Sequence, residues 1–112
     1  VAIVKVPAEI TLSFDGSAAH LVFREDLDHL NFSELPRGTP LARVRRPSHA
    51  PLFVPAGDGS NRWQEFFEIR DAELVLRAML MPAMLTRSVA AVRQDCLCYL
   101  MERLSPPVGA AR

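Results

Sequence analysis

Two cysteines are the side chains whose chemistry is easiest to judge from this sequence. Cys96 and Cys98 are separated by a single residue. In a helix, two residues correspond to about 200° of rotation, so the two thiols would point apart and would neither form a disulfide nor bind one metal ion. We therefore expect Cys96 to be a small core residue, and Cys98 to be either an exposed thiol or part of a subunit contact.

An acidic run is the second candidate for chemistry. Residues 24–29 combine an arginine, three carboxylates and a histidine, which are groups that bind divalent ions or carry out acid–base catalysis. The other histidines, His20 and His49, lie in unrelated surroundings, so no second group of ligands stands at a metal-binding spacing. The sequence also lacks a Gly-x-Ser-x-Gly nucleophile motif. We therefore expect a solvated loop at this run, and predict no metal, no cofactor and no enzymatic activity.

Three arginines form the densest positive patch, Arg43, Arg45 and Arg46. An arginine can contact a phosphate or a partner's carboxylate through two hydrogen bonds, whereas charge on an edge strand protects it from aggregation. We favour the protected edge strand and keep an anion or partner contact as the alternative. The 13 basic and 13 acidic residues give no formal net charge, so we do not expect nucleic-acid binding, which depends on long-range attraction.

Length and composition are those of one folded domain. The 112 residues are 49% hydrophobic and 23% charged, so we expect a single domain over residues 1–112. No stretch reaches the ~18 to 20 apolar residues of a membrane-spanning helix, and the first residues lack the features of a signal peptide. We expect a cytoplasmic protein with no membrane partner.

Two stretches of alternating apolar and polar residues predict strands. They cover residues 10–14 and 19–24, and the pair Asp15–Gly16 between them is typical of a hairpin turn. The sequence therefore predicts an antiparallel hairpin. Its buried face would carry five side chains: Ile10, Leu12, Phe14, Leu21 and Phe23.

Residues 1–60 as a whole are predicted to be rich in strands. Five prolines lie between positions 36 and 55, and they should confine any strand there, for example 41–45 or 52–54, to short or edge positions. The segment 62–69 fits either a last strand or the first turns of a helix, because short apolar runs do not distinguish the two.

Residues 71–104 are predicted to be helical, with Asp71 as the N-cap. A single rod of this length would measure about 50 Å, which exceeds the diameter of about 34 Å expected for a compact domain of this size. Pro82 removes one helical hydrogen bond. We therefore predict that the helix breaks near Pro82 into segments 72–81 and 83–104, or that it projects toward a partner.

The predicted fold class follows from these elements. It is α+β, with an N-terminal antiparallel β-hairpin or small sheet followed by a C-terminal helical segment that is broken or kinked near Pro82. The last residues, 105–112, are expected to form a flexible tail.

The predicted function rests on the apolar surface of the helix 83–104, which exceeds what one sheet face would cover. We predict a small non-enzymatic protein-binding regulator of inhibitor, antiactivator, immunity or adaptor type, acting as a homodimer. The predicted partner-binding residues are Met81, Met84, Leu85, Val89, Val92, Cys96 and Leu100.

The alternative function is a small-molecule-binding domain or minor enzyme. Its pocket would lie between the sheet and the helices and would be apolar with a few polar groups. The expected lining residues are Phe14, Phe23, Trp63 and Met81.

Overall fold

The computed structural model describes residues 2–46 and 50–101, and the expected tail over 105–112 lies outside these residues. The described part contains eight strands and one short α-helix. The strands are β1 (Ala2–Val4), β2 (Leu12–Ser13), β3 (Leu21–Phe23), β4 (Pro40–Val44), β5 (Phe67–Arg70), β6 (Glu73–Leu76), β7 (Met81–Ala83) and β8 (Cys98–Met101). The helix α1 spans Val89–Gln94, and two 3₁₀ turns cover Leu27–Leu30 and Trp63–Glu65.

The strands form two sheets. The larger sheet has the order β2-β3-β4-β6-β5, and the smaller has the order β1-β8-β7. All pairs are antiparallel except β2 with β3, which run parallel. Buried apolar residues from both sheets belong to one core cluster. The predicted α+β class is therefore wrong, since the described chain is mostly β-sheet.

The predicted N-terminal hairpin is also wrong in its direction. Leu12 pairs with Leu21 in a parallel register, and the amide of Leu21 donates to the carbonyl of Thr11 at 3.0 Å. The connecting loop is not a two-residue hairpin turn, because such a turn joins antiparallel strands and β2 and β3 run parallel. Within this loop the Asp15 carboxylate accepts hydrogen bonds from the amide and hydroxyl of Ser17. The loop thus carries the chain back to the start of β2. The buried face was predicted correctly, since all five of its apolar side chains are buried.

Over the described residues 71–101, the predicted helix is wrong: strands β6 and β7 come first, then the short helix α1, then strand β8. Residues 102–104 of that prediction lie outside the described residues. Asp71 is not a helix cap. Asp71 and Ala72 have φ of 52° and 62° and form the two-residue turn between β5 and β6, which requires positive φ at both positions. The helix cap is Ser88, whose hydroxyl accepts a hydrogen bond from the amide of Ala91.

Pro82 neither breaks nor kinks a helix, because it lies in strand β7. Its carbonyl accepts a hydrogen bond from the amide of Phe32 at 2.8 Å. The N–H that proline lacks would point to the same side as this carbonyl, away from β8. The residue therefore costs no hydrogen bond to β8, which is why a sheet edge tolerates it.

Two other expectations need adjustment. Strand β4 lies in the middle of the larger sheet, between β3 and β6, so the prolines do not confine it to an edge. Pro40 is its first residue, a position where a missing N–H is tolerated. The ambiguous segment 62–69 contains a 3₁₀ turn and then the edge strand β5. No helix in the described residues is long and apolar enough to cross a membrane.

Candidate functional site

Two bulky apolar residues combine backbone strain with exposure to solvent. Phe32 has φ of 62° and is 67% exposed, and Met84 has φ of 65° and is 64% exposed. The left-handed conformation costs a residue with a Cβ about 1–2 kcal/mol, and a folded chain gains little from apolar side chains left in water. Strain of this kind concentrates at functional sites. These two residues therefore mark the first candidate site.

The side chain of Asn31 brings the two residues together. Its Nδ2 donates to the carbonyl of Leu85 at 3.0 Å, and its Oδ1 accepts from the amide of Leu85 at 2.7 Å. The same Nδ2 donates to the carbonyl of Asp28 at 3.1 Å. The Asn31 amide thus imitates a strand neighbour of Leu85. Because Phe32 follows Asn31 and Met84 precedes Leu85, this pairing fixes both exposed residues.

The backbone on either side continues this pairing. The amide of Phe32 bonds the carbonyl of Pro82, and Leu35 and Leu80 exchange two backbone hydrogen bonds of 2.8 and 3.1 Å. Residues 31–35 therefore run antiparallel to residues 80–85 along the outer edge of β7. The site is built on sheet-like pairing, so the backbone that carries Phe32 and Met84 is fixed by hydrogen bonds.

Phe32 and Met84 line a cavity of about 410 Å³, together with Asn31, Leu85, Thr86, Ala91, Asp95 and Cys96. Most of the lining is apolar. The amide of Asn31 is already bonded, and the Thr86 hydroxyl accepts from the amide of Ser88. Within residues 2–46 and 50–101, the exposed carboxylate of Asp95 has no ion-pair partner. The cavity is thus an apolar depression with one free charge on its lining.

The charge of Asp95 acts on two neighbours. It is the main cause that raises the pKa of the Tyr99 phenol. It also raises the pKa of the Cys96 thiol, although burial contributes more to that shift. The carboxylate therefore lies close to Cys96, which lines the same cavity.

The predicted partner-binding residues are only partly brought together. Met84, Leu85 and Cys96 share the cavity, although no helix face joins them. The others lie elsewhere: Val92 and Leu100 are buried in the core, Met81 is half-buried in β7, and Val89 is exposed beside Arg87 and Leu12.

Sequence reasoning missed Asn31 and Phe32. Asn31 is separated from its partner Leu85 by 54 positions, and no local pattern indicates such a distant pairing. A positive φ at a phenylalanine has no sequence signal either, because the residues that favour this conformation are glycine and asparagine.

The cysteines do not form a reactive site. Both are free and buried, so of the two alternatives predicted for Cys98 the exposed thiol is wrong and the subunit contact stays a prediction. Burial raises the pKa of both thiols, with Asp95 adding to the effect at Cys96. The described residues contain no group of three or more His, Cys, Asp or Glu side chains that could hold a metal ion.

Two residues of the acidic run, Arg24 and Asp26, form a structural ion pair. The guanidinium of Arg24 binds both carboxylate oxygens of Asp26, at 2.6 and 2.9 Å, and donates to the carbonyl of Pro40 at 3.0 Å. Hydrogen bonding from Arg24 lowers the pKa of Asp26, and the same bond raises the pKa of Arg24. This pair joins the end of β3 to the start of β4 instead of presenting a free acid or base.

A second depression of about 500 Å³ lies beside Arg24 on strands β3 and β4. Phe14 and Phe23 line it and stack with a centroid distance of 5.4 Å. The other two residues of the predicted small-molecule pocket, Trp63 and Met81, do not belong to its lining. Although this depression is larger, its large apolar side chains Phe14, Phe23 and Leu41 are buried, and none of the three has the positive φ seen at Phe32 and Met84.

The predicted arginine patch is divided by the fold. Arg43 lines this second depression and lies opposite Glu73 in the register of β4 with β6. Arg45 and Arg46 are exposed beyond the end of β4. The three guanidinium groups therefore do not share one cavity.

Comparisons of the chain with models of protein families, with curated proteins and with solved structures found no match.

Proposed function

We propose that this chain is a protein-binding domain that receives an apolar side chain from a short segment of a partner polypeptide in the cavity between Phe32 and Met84. The observation that supports it most is that two residues with unfavourable positive φ also expose large apolar side chains at the same cavity. Both residues are strained and exposed, and both line the same cavity. A partner that buries them recovers the hydrophobic free energy that the isolated chain forgoes.

The size of the surface favours a short segment over a folded partner. Two side chains of this kind expose on the order of 250 Å², whereas a stable complex of two folded proteins buries about 800 Å² on each partner. The cavity of about 410 Å³ has room for one or two side chains. Methionine suits such a site because its flexible, polarisable side chain adapts to different partners.

Self-association, which the sequence analysis predicts, remains a separate prediction. A second copy of this chain would have to insert one of its own exposed side chains into the cavity. Sedimentation velocity at increasing protein concentration distinguishes the two cases. A monomer that binds peptides supports the proposal, whereas a dimer that dissociates on Met84→Ala substitution would assign the cavity to a second copy instead.

The test of the proposed function is selection from a phage library of random 12-residue peptides on the immobilised full chain. We expect enriched peptides to share an apolar residue. One such peptide, made synthetically and labelled, should bind the Met84→Ala variant about tenfold more weakly by fluorescence polarisation, since the variant loses most of one apolar side chain from the cavity wall.

The matched control is Met79→Ala. Met79 is 49% exposed and does not line the cavity, so the same substitution there should leave the peptide affinity unchanged. The proposal fails if no peptide is enriched, or if Met84→Ala and Met79→Ala bind the selected peptide as well as the unchanged chain does.

A further inference from the structure

The lining of the cavity contains one feature that hydrophobic binding does not use. Asp95 follows helix α1 and is exposed, and among the residues that the structure describes it is the only charged one that lines the cavity described above. Within the described ranges 2–46 and 50–101, its carboxylate pairs with no Arg, Lys or His. An unpaired charge beside an apolar depression constrains which partner can bind.

The surrounding charges do not neutralise Asp95. Lys5 is close enough to Cys96 to lower the pKa of that thiol slightly against the effect of burial. Its side chain does not line the cavity and forms no ion pair with Asp95. Arg93 is turned to the other side of α1, where its guanidinium donates to the carbonyls of Val6, Pro7 and Ile10.

We propose that the partner segment carries a lysine or arginine beside its apolar anchor residue, and that this cation pairs with Asp95. This inference rests on the proposed function. The apolar anchor fills the cavity between Phe32 and Met84, and the basic residue lies over the carboxylate. A partner with an acidic residue at that place would meet Asp95 as a like charge and would be rejected, so the carboxylate selects the sequence of the partner.

The size of the effect follows from the exposure of Asp95. Ion pairs that remain in contact with water are weak, and they change affinity by a factor of about two to five. They act mainly through the association rate and are screened by salt. The basic residue should therefore adjust the affinity and set the preference among partners, while the apolar anchor supplies most of the binding.

The test is a parallel selection of random 12-residue peptides on the unchanged chain and on Asp95→Asn. Peptides selected on the unchanged chain should combine an apolar residue with an adjacent Lys or Arg. Peptides selected on Asp95→Asn should keep the apolar residue and lose the basic preference. The control is Asp71→Asn, an exposed aspartate in the β5–β6 turn, which should leave both preferences unchanged.

A double-mutant cycle with one selected peptide completes the test. Asp95→Asn and replacement of the peptide's basic residue by Gln should each weaken binding about two- to fivefold, with no further loss when both are combined. The affinity of the unchanged pair should fall with salt more steeply than that of the Asp95→Asn pair.

The outcomes separate this inference from the proposed function. If apolar peptides are enriched but lack a basic residue, or if the two substitutions act independently, the pairing with Asp95 is wrong and the apolar cavity stands. If no peptide is enriched on either protein, the proposed function fails and this inference fails with it.

Discussion

Replacing Asn31 with alanine tests how the cavity is built. The variant loses three hydrogen bonds, to both backbone groups of Leu85 and to the carbonyl of Asp28. Leu85 is only 5% exposed, so its amide and carbonyl would remain buried without partners, at about 1–3 kcal/mol each. We expect the free energy of unfolding to fall by about 3 kcal/mol. For a chain of this length the midpoint of thermal unfolding should fall by roughly 12 °C.

The assay is urea unfolding followed by the fluorescence of Trp63, which is the only tryptophan of the chain and is buried. Peptide affinity is measured on the same samples under conditions where each variant remains folded. Loss of Asn31 releases Phe32 and Met84 from their fixed positions, so we expect affinity to fall as well. This combination of effects needs a control that separates lost stability from lost binding.

Asn61 provides that control, because its side-chain amide also forms three hydrogen bonds to the backbone, and Asn61 does not line the cavity. Its Oδ1 accepts from the amides of Val54 and Trp63 at 2.9 and 3.1 Å, and its Nδ2 donates to the carbonyl of Leu52 at 2.8 Å. Asn61→Ala should destabilise the protein by a similar amount and leave the affinity of the folded protein unchanged. If Asn31→Ala lowers the free energy of unfolding by less than about 1 kcal/mol, the lower end of what an unpaired buried group costs, the hydrogen bonds of Asn31 do not hold Leu85 in place. If both variants lose affinity equally, Asn31 has no special role in positioning Phe32 and Met84.

Three further predictions follow from the fold. Ala72→Gly should raise the free energy of unfolding by up to about 1 kcal/mol, because glycine adopts the positive φ of the β5–β6 turn without strain. A lower free energy of unfolding in urea would contradict the assignment of this turn. Hydrogen bonds from neighbouring serines lower the pKa of Asp15 and Asp58 below the ordinary value of 3.8. Since these pKa values are lower in the folded than in the unfolded state, their contribution is complete above pH 3.8 and is lost as pH falls toward the folded-state values. Replacing both aspartates with Asn should therefore make the free energy of unfolding depend less on pH in the acid range. An unchanged pH dependence would show that the hydrogen bonds from the serines to these carboxylates do not form. Burial raises the pKa of Cys96 and Cys98, so neither should react quickly with an aromatic disulfide reagent at pH 8 until the chain unfolds, and a fast phase that disappears on Cys98→Ala would show that β8 is accessible.

The N-terminal strands show what alternation can and cannot predict. The alternating pattern identified the buried side chains Leu21 and Phe23 of β3, because side chains on a strand alternate between faces whichever direction its neighbour runs. The pattern does not predict whether two neighbouring strands run parallel or antiparallel. That depends on the loop after Phe14, in which Asp15 and Ser17 form a local turn and from which the chain returns to begin β3 parallel to β2.

The second half of the chain was predicted wrongly because local preference and tertiary structure disagree there. Its residues include many Leu, Ala, Met and Arg, which favour helices as isolated sequences. Pairing with other strands overrides that preference, as at Leu74 opposite Ala42. Asp71 was ambiguous, since aspartate favours both helix caps and tight turns. Pro82 was the one local signal against a long helix.

The candidate site could be predicted only in part. Met84, Leu85 and Cys96 were predicted to bind a partner through the apolar surface of the expected helix 83–104, and the fold places the three on the lining of one cavity. Their arrangement depends on Asn31, which reaches across 54 positions of sequence, and on the positive φ of Phe32. Neither the distant pairing nor the positive φ is indicated by the local sequence, so the geometry of the site could not be predicted without the structure.

The stability and the peptide affinity of Phe32→Gly, measured on the same samples, test whether Phe32 serves binding at the cost of folding. We propose that Phe32 is strained and exposed because it binds a partner segment. We therefore expect the variant to be no less stable than the unchanged chain, and up to about 1 kcal/mol more stable because glycine accepts positive φ, while the selected peptide binds about tenfold more weakly. A variant that is clearly less stable, or one that binds the peptide with unchanged affinity, would contradict this proposal.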